Sequence, residues 1–398
     1  MVFKLKEFQA NSPGVIIFSH KEFIKYSKFK SFNDILEIYK KNYYFGVHWG
    51  ASYENTTDFN FKNIDINFCY KEQLPDLRNQ EIFPYTTRSF IPSAIFNNDE
   101  NIQKKYDVVT VTRKVNAKFN RDLFKISREL IINNPNIKIL ILVANPNYVK
   151  SNFDHLFDEN YENFLGSYKS KNVELITFNE IPKQELVANY LKSSKVFLFT
   201  SRKEGVAKVT AEAALCNLPV FINKSFFGGA RAGINSNFLF EYDSIKSAVK
   251  KINQSLNDKK SNKEGFKLSV STKQLNDNKN LENLDNALKN FFKSKGTPYK
   301  GEIDSFNLKN RMNSYLKELS DMYVSENNDL KSFMAVAKYF ENLCEGDYRV
   351  SRKLILFDTF INKRVNWSIK DILFLLSPIW LIKIIRRRKA SEKELPYE

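Results

Sequence analysis

The stretch TSRKEGVAKVTAEAALCNLPVF, Thr200 to Phe221, holds two acids whose spacing asks for a function. Glu204 stands beside Gly205 just after an apolar run, and Glu212 follows eight residues later among small helix-forming residues. Read as a strand, a turn and a helix, this puts Glu204 at the mouth of a sheet and Glu212 about two turns into the helix. Gly205 would let backbone approach a ligand closely. The N–H groups of Ala207, Lys208 and Val209 would be the unpaired donors of the first turn, which carry partial positive charge and suit an anion. Carboxylates accept hydrogen bonds from vicinal hydroxyls. A phosphate-accepting helix end flanked by two acids therefore suits a nucleotide diphosphate bearing hydroxyl-rich groups. The plainer reading is two acids favoured only by the helix dipole.

Such residues need a sheet to hold them, and the chain supplies one. From Tyr106 the sequence reads as strand YDVVTVT, helix Phe119–Asn133, strand IKILILV, helix Tyr148–Leu165 and strand NVELITF. It continues as helix KQELVANYLKSS, strand KVFLFTS, helix Val206–Cys216, strand LPVFI and helix Ser244–Ile252. Continuous apolar strands alternating with amphipathic helices imply a parallel sheet covered on both faces. Ligands of such sheets bind beyond the carboxyl ends of the strands, here the loops TRKVNAK, ANPNY, NEIPKQ and TSRKEGVAK. Before this region, Val15–Phe18, Phe45–His48 and Ile64–Cys69 read as strands, with a helix over Phe32–Lys41, an α/β domain joined by the connector Ile91–Lys105. After it, Leu281–Ser294, Leu308–Met322, Leu330–Leu343 and Arg352–Asn362 read as helices. The expected division is residues 1–100, 101–258, a helical extension 259–368 and an apolar and basic tail 369–398.

With 398 residues, 42% hydrophobic and 14% aromatic, the chain can bury more than one core. Sixty-two Lys and Arg against 45 Asp and Glu leave +17, which favours an anionic partner. The lysines are scattered without a recognition motif, which argues against nucleic acid as that partner. The cysteines Cys69, Cys216 and Cys344 stand far apart with no CxxC, so neither a disulfide framework nor a zinc site is expected and a reducing cytoplasm is. Cys216 reads as a small buried residue. No stretch reaches the ~18 apolar residues of a spanning helix. The run Ile372–Ile385, followed by Arg386, Arg387, Arg388 and Lys389, suits a bilayer interface with its cations on anionic headgroups.

The segment EGVAKVTAE resembles the E-x7-E motif of the retaining glycosyltransferases of GT-B fold, glycosyltransferase family 4 in particular. The similarity extends through IPKQELVANYLKSSKVFLFTSRKEGVAKVTAEAALCNLPVFI and to TRKVNAK, where Arg113 and Lys118 stand five apart. The resemblance implies two Rossmann-like domains facing a cleft, with Arg113 and Lys118 on the donor's diphosphate, Lys208 a further phosphate contact, Glu212 on the ribose and Glu204 on the donor sugar. It implies a histidine from the first domain near that sugar, His48 by preference, then His20, with His155 the remaining one. It also implies that the glycines of FFGGARAG, Phe226 to Gly233, bring backbone amides toward the donor. Asn217 stands where the family usually has glycine, a position asparagine tolerates because it visits the left-handed conformation. The first domain is short and has no glycine-rich loop after its first strand. No Asp-x-Asp occurs, so a metal-independent enzyme is expected, with no cofactor beyond the nucleotide-sugar substrate.

The expected function is transfer of a sugar, with retention, to a glycan or lipid-linked acceptor, in the making of cell-surface polysaccharide or lipopolysaccharide at the cytoplasmic face of the membrane. The alternative is a non-catalytic GT-B-like scaffold with a reduced first domain.

Overall fold

The computed structural model describes residues 2–27, 30–77, 80–99, 101–115, 118, 120–144, 154–169, 171–180, 182–257, 275 and 277–303. The helices expected at Leu308–Met322, Leu330–Leu343 and Arg352–Asn362, and the tail 369–398, lie outside the described residues.

The first domain has the strands β1 (Val2–Lys6), β2 (Gly14–Ser19), β3 (Tyr43–His48), β4 (Ile66–Phe68) and β5 (Glu81–Phe83), with the helices α1 (His20–Tyr26) and α2 (Lys30–Tyr39). The strands lie in that order; β1 is antiparallel to β2 and the others are parallel. Strand β2 shows why its apolar run is continuous. Ile16 and Phe18 enter a core with Phe32, Leu36 and Trp49, whereas Val15 and Ile17 face Leu284, Leu288 and Phe292 on the other side. Successive strand residues point to opposite faces, so a sheet covered on both sides needs apolar residues at every position.

The second cover is α8 (Asp277–Ser294). The start of the expected extension thus closes the first domain's core. Its Phe291 and Phe292 are buried with Leu5, Phe68, Phe83 and Phe90, and burying a phenylalanine contributes about 1.5–3 kcal/mol. The helical spacing of Leu284, Leu288 and Phe291 made the helix legible; which sheet it would cover was not.

The second domain comprises β6 (Tyr106–Thr112), α3 (Asn120–Asn133), β7 (Ile139–Ala144), α4 (Asp154–Leu165), β8 (Val173–Phe178), α5 (Gln184–Lys192), β9 (Ser194–Phe199), α6 (Lys208–Leu215), β10 (Val220–Asn223), β11 (Leu239–Tyr242) and α7 (Ile245–Asn257). Its parallel sheet runs β11-β10-β9-β6-β7-β8. The period-two division recurs: Leu140 and Leu142 of β7 and Phe197 and Phe199 of β9 fill one core, Ile139, Ile141, Val196 and Leu198 the other. The connector is not a bare linker, since its Ile91 and Phe96 plug the first of these cores.

Strand β11 is, with β1 and β5 of the first domain, an element the sequence did not announce. It is four residues long, and Leu239, Phe240 and Glu241 are only half-buried at the sheet edge. The chain leaves β6 toward β7 and β8 on one side and returns to β9, β10 and β11 on the other. A crevice must open between the carboxyl ends of β6 and β9, where the winding reverses.

Candidate active site

The loops after β6 and β9 meet at that reversal. Lys118, from the first loop, forms an ion pair with Glu204, from the second. The Thr200 hydroxyl donates to the Lys118 carbonyl at 3.1 Å and ties the two loops together. Lys118 is buried and its ammonium lies 5.7 Å from the centre of the Phe199 ring. Burial holds the Lys118 pKa below the ordinary lysine range, and the Glu204 carboxylate opposes that shift. The second oxygen of Glu204 is buried and has no hydrogen-bond partner among the described residues. Arg113 is exposed at the rim of the same loop, close enough for its charge to bear on Lys118.

Glu212 is buried inside α6, flanked by Thr210, Ala211, Ala213 and Ala214, none of which needs a carboxylate beside it. Lys208 lies one turn earlier, 3.7 Å from Glu212. Burial raises the Glu212 pKa, and the charges of Lys208 and Arg88 pull it back. Burial likewise lowers that of Lys208. The helix starts on Ala207 in the left-handed conformation, φ 43° and ψ 59°, without a side-chain cap. A left-handed alanine costs about 1–2 kcal/mol, so its surroundings must hold it there. The uncapped first turn leaves backbone donors for an anion.

Gly205 has a neighbour that the sequence did not suggest. A Cβ there would lie 2.1 Å from the carbonyl oxygen of Gly50, in the loop after β3. The missing side chain thus admits the first domain's backbone. Around this contact the Ser52 hydroxyl donates to the Glu204 carbonyl at 3.0 Å. The glycine loop seals the other side: the Glu204 N–H donates to Phe227 at 3.1 Å and the Gly229 N–H to Gly205 at 2.7 Å. The Gly229 amide expected to reach the donor is therefore engaged within the protein. Gly228, at φ 123°, packs on the Glu204 carbonyl, where any Cβ would clash.

Both histidines of interest lie at the carboxyl end of the first sheet, since Ser19 of β2 is in register with His48 of β3. They differ in kind. His48 is buried, its Nε2 has no partner among the described residues, and burial pushes its pKa down to about 3. His20 is half-exposed, its Nδ1 accepts the Gly50 N–H at 3.1 Å, and its ring stacks on Trp49 at 6.2 Å. His155 is exposed on α4. Asn217 adopts φ 61°, as its place after α6 required. Cys69 and Cys216 are buried, and burial raises both thiols to about 12.

Sequence reasoning missed Ser52, Gly50 and above all Arg88, a buried guanidinium that enters the second domain from the residues after β5. One arginine among 62 basic residues carries no signal of its own. Among the described residues no cluster of three or more His, Cys, Asp or Glu is placed to hold a metal ion. A groove of about 1240 Å³ lies on the helical face of the second domain, between α3, α4 and α7, and is lined by none of the residues expected in the site.

No curated protein matches the chain. Among solved structures, it is similar to the pneumococcal O-GlcNAc transferase GtfA in complex with UDP and GlcNAc, at 12% identity over 65% of this chain and 55% of that one, TM-score 0.46. It thus spans about half the length of that protein. It is also similar to the UDP-forming α,α-trehalose-phosphate synthase of Burkholderia xenovorans, in complex with glucose-6-phosphate, at 10% identity over 69% of this chain and 72% of that one, TM-score 0.53. The α,α-trehalose 6-phosphate synthase of Burkholderia multivorans gives 9% identity over 70% and 72%, TM-score 0.52. The fold is GT-B, two Rossmann-like domains, and residues 95–267, which hold Arg113, Lys118, Glu204 and Glu212, match the family of glycosyl transferases group 1.

Proposed function

We propose that the protein transfers a sugar from a nucleotide-sugar donor to a glycan or lipid-linked acceptor, with retention of configuration and without a metal ion. One observation carries this reading: at the sheet's reversal, Lys118 is paired with Glu204 beside an uncapped helix start whose next turn buries Glu212. The donor diphosphate takes the cations Arg113, Lys118 and Lys208 and the amides of Lys208 and Val209, while Glu212 accepts from the ribose hydroxyls and Glu204 from the sugar. When phosphate displaces Glu204 from Lys118, the carboxylate turns to the sugar hydroxyls and the ammonium to the leaving group.

In the reaction the bond between the anomeric carbon and the phosphate oxygen breaks, and the acceptor oxygen bonds to that carbon on the same face. The leaving phosphate takes the acceptor's proton. No protein nucleophile is needed; fixed cations in a water-poor cleft stabilise the departing charge, and positioning supplies the rest. His20 is placed better than His48 to meet the sugar, because it is half-exposed beside Gly50 while His48 is sealed and uncharged. An acceptor in cell-surface polysaccharide or lipopolysaccharide synthesis fits the charge of +17 and the apolar and basic tail 369–398.

The test is a thermal-shift and turnover screen with UDP, GDP, ADP and CMP sugars, since a ligand of the native state raises apparent stability by mass action. One donor class is expected to stabilise the protein and to be consumed, with the anomeric configuration kept by NMR and the rate unchanged by EDTA. A protein that binds a donor but turns none over with any acceptor is the scaffold instead. Deleting residues 370–398 is expected to move the protein from membranes to the soluble fraction. Among the described residues no helix is long and apolar enough to cross a membrane.

A further inference from the structure

We infer that Arg88 is a positioning residue through which the first domain sets the shape of the nucleotide-binding turn; this rests on the donor site proposed above. The backbone of Arg88 is held by the first domain. It lies in a short 3-10 helix, Thr87–Phe90, whose Phe90 is buried in the core beneath α8. Asn280 of α8 donates to the Ser89 carbonyl at 2.7 Å, and the Ser89 and Tyr70 hydroxyls are 3.1 Å apart.

The side chain belongs to the other domain. Nε donates to the Ala232 carbonyl at 2.7 Å, and Nη1 donates to the Ala207 carbonyl at 2.8 Å, to that of Val206 at 3.4 Å and to the Thr210 hydroxyl. Thr210 in turn reaches the Ala207 and Ala230 carbonyls at 2.9 and 2.8 Å. One guanidinium thus gathers the glycine loop, the turn before α6 and the first turn of α6.

The consequence follows from the planarity of the peptide. In a trans peptide the C=O and the next N–H point in opposite directions. Drawing the Val206 and Ala207 carbonyls toward Arg88 directs the N–H groups of Ala207 and Lys208 away from it, and that of Lys208 is one of the donors proposed for the diphosphate. The same bonds hold Ala207 in its left-handed conformation. Burying a guanidinium is expensive unless it is well bonded, yet Nη2 of this fully buried group has no partner among the described residues. Packing alone would be served better by an apolar side chain. Arg88 also adds positive charge near Glu212, which faces Lys208 on its own helix and the Cys216 thiol one turn on.

The experiment is calorimetric titration of the full chain with UDP, GDP, ADP and CMP, for the wild type, Arg88→Lys, Asn280→Ala and Arg88→Gln. Lysine keeps the charge but lacks the planar fork. The wild type is expected to bind at least one nucleotide. Arg88→Lys should weaken that nucleotide at least about tenfold, the effect of losing charged hydrogen bonds, with KM for the donor rising more than kcat falls. Asn280→Ala, which leaves the guanidinium in place and loosens its anchor, should weaken binding in the same direction, and the two changes should be non-additive. Arg88→Gln should move the acidic limb of binding to higher pH, because Glu212 loses a neighbouring charge. Arg88→Lys or Asn280→Ala binding with the wild-type Kd, melting lower or not, would overturn the inference. Wild-type protein that binds none of the four nucleotides overturns the donor site itself.

Discussion

The mouths of the two sheets face the same contact between Gly50 and Gly205 but are built from opposite chemistry. The second domain offers Lys118, Glu204, Lys208 and Glu212, charges paired and half withdrawn from water. The first offers aromatic rings, Trp49 packed among His20, Tyr53, Phe59 and Phe61, with His48 buried and uncharged beside them. Paired charges can exchange partners when an anion arrives, whereas aromatic rings and the neutral imidazole of His48 offer an anion little. The contrast fits the proposed placement, with a diphosphate on one side and less charged sugar on the other.

The largest effect should come from breaking the charged side. Glu204→Gln and Lys118→Met should each reduce turnover about 10²–10³-fold, the range for losing one group that stabilises transition-state charge; steady-state kinetics check it. A variant of either residue with wild-type turnover would break the contrast. Next comes the seam. Gly205→Ala places a carbon against the Gly50 carbonyl, and overpacking of this kind costs about 1–3 kcal/mol, read as a lower denaturation midpoint together with weaker donor binding.

The neutral side predicts a pH dependence. Folded His48 stays neutral down to about 3 because burial opposes its charge, whereas the unfolded chain's histidine takes a proton below about 6.5. The unfolded state binds more protons across that window, so stability falls as pH falls, by up to about 1.4 kcal/mol per pH unit from this residue. Urea titrations between these limits should show the slope, and His48→Asn should flatten it. The smallest effect is kept for the exposed pair between the domains, Lys203 and Glu54 at 3.4 Å. Its removal should change stability by less than about 1 kcal/mol, measured by the same titration in a double-mutant cycle.

The second domain was legible because local pattern and chemistry coincide there. Apolar runs gave β6, β7, β8 and β9 in turn, and Glu204 and Glu212 stood out by their spacing of eight across a strand, a glycine turn and a helix. The half-buried edge strand β11 carried too weak a pattern to be seen. Arg88 was illegible for a different reason. Its partners lie 118 to 144 residues away, and nothing near it in the chain distinguishes it from a solvated arginine.

By itself the sequence determined the alternation of strands and helices, the two acids eight residues apart and the two cations five apart, since periodicity and side-chain chemistry are local properties. Only the tertiary structure decided that Lys118 would pair with Glu204, that α8 would close the first core, that Gly205 would admit Gly50, and that Arg88 would hold the turn before α6. These are meetings of distant residues, and they depend on how the covered faces of two sheets pack, which no short stretch of chain records.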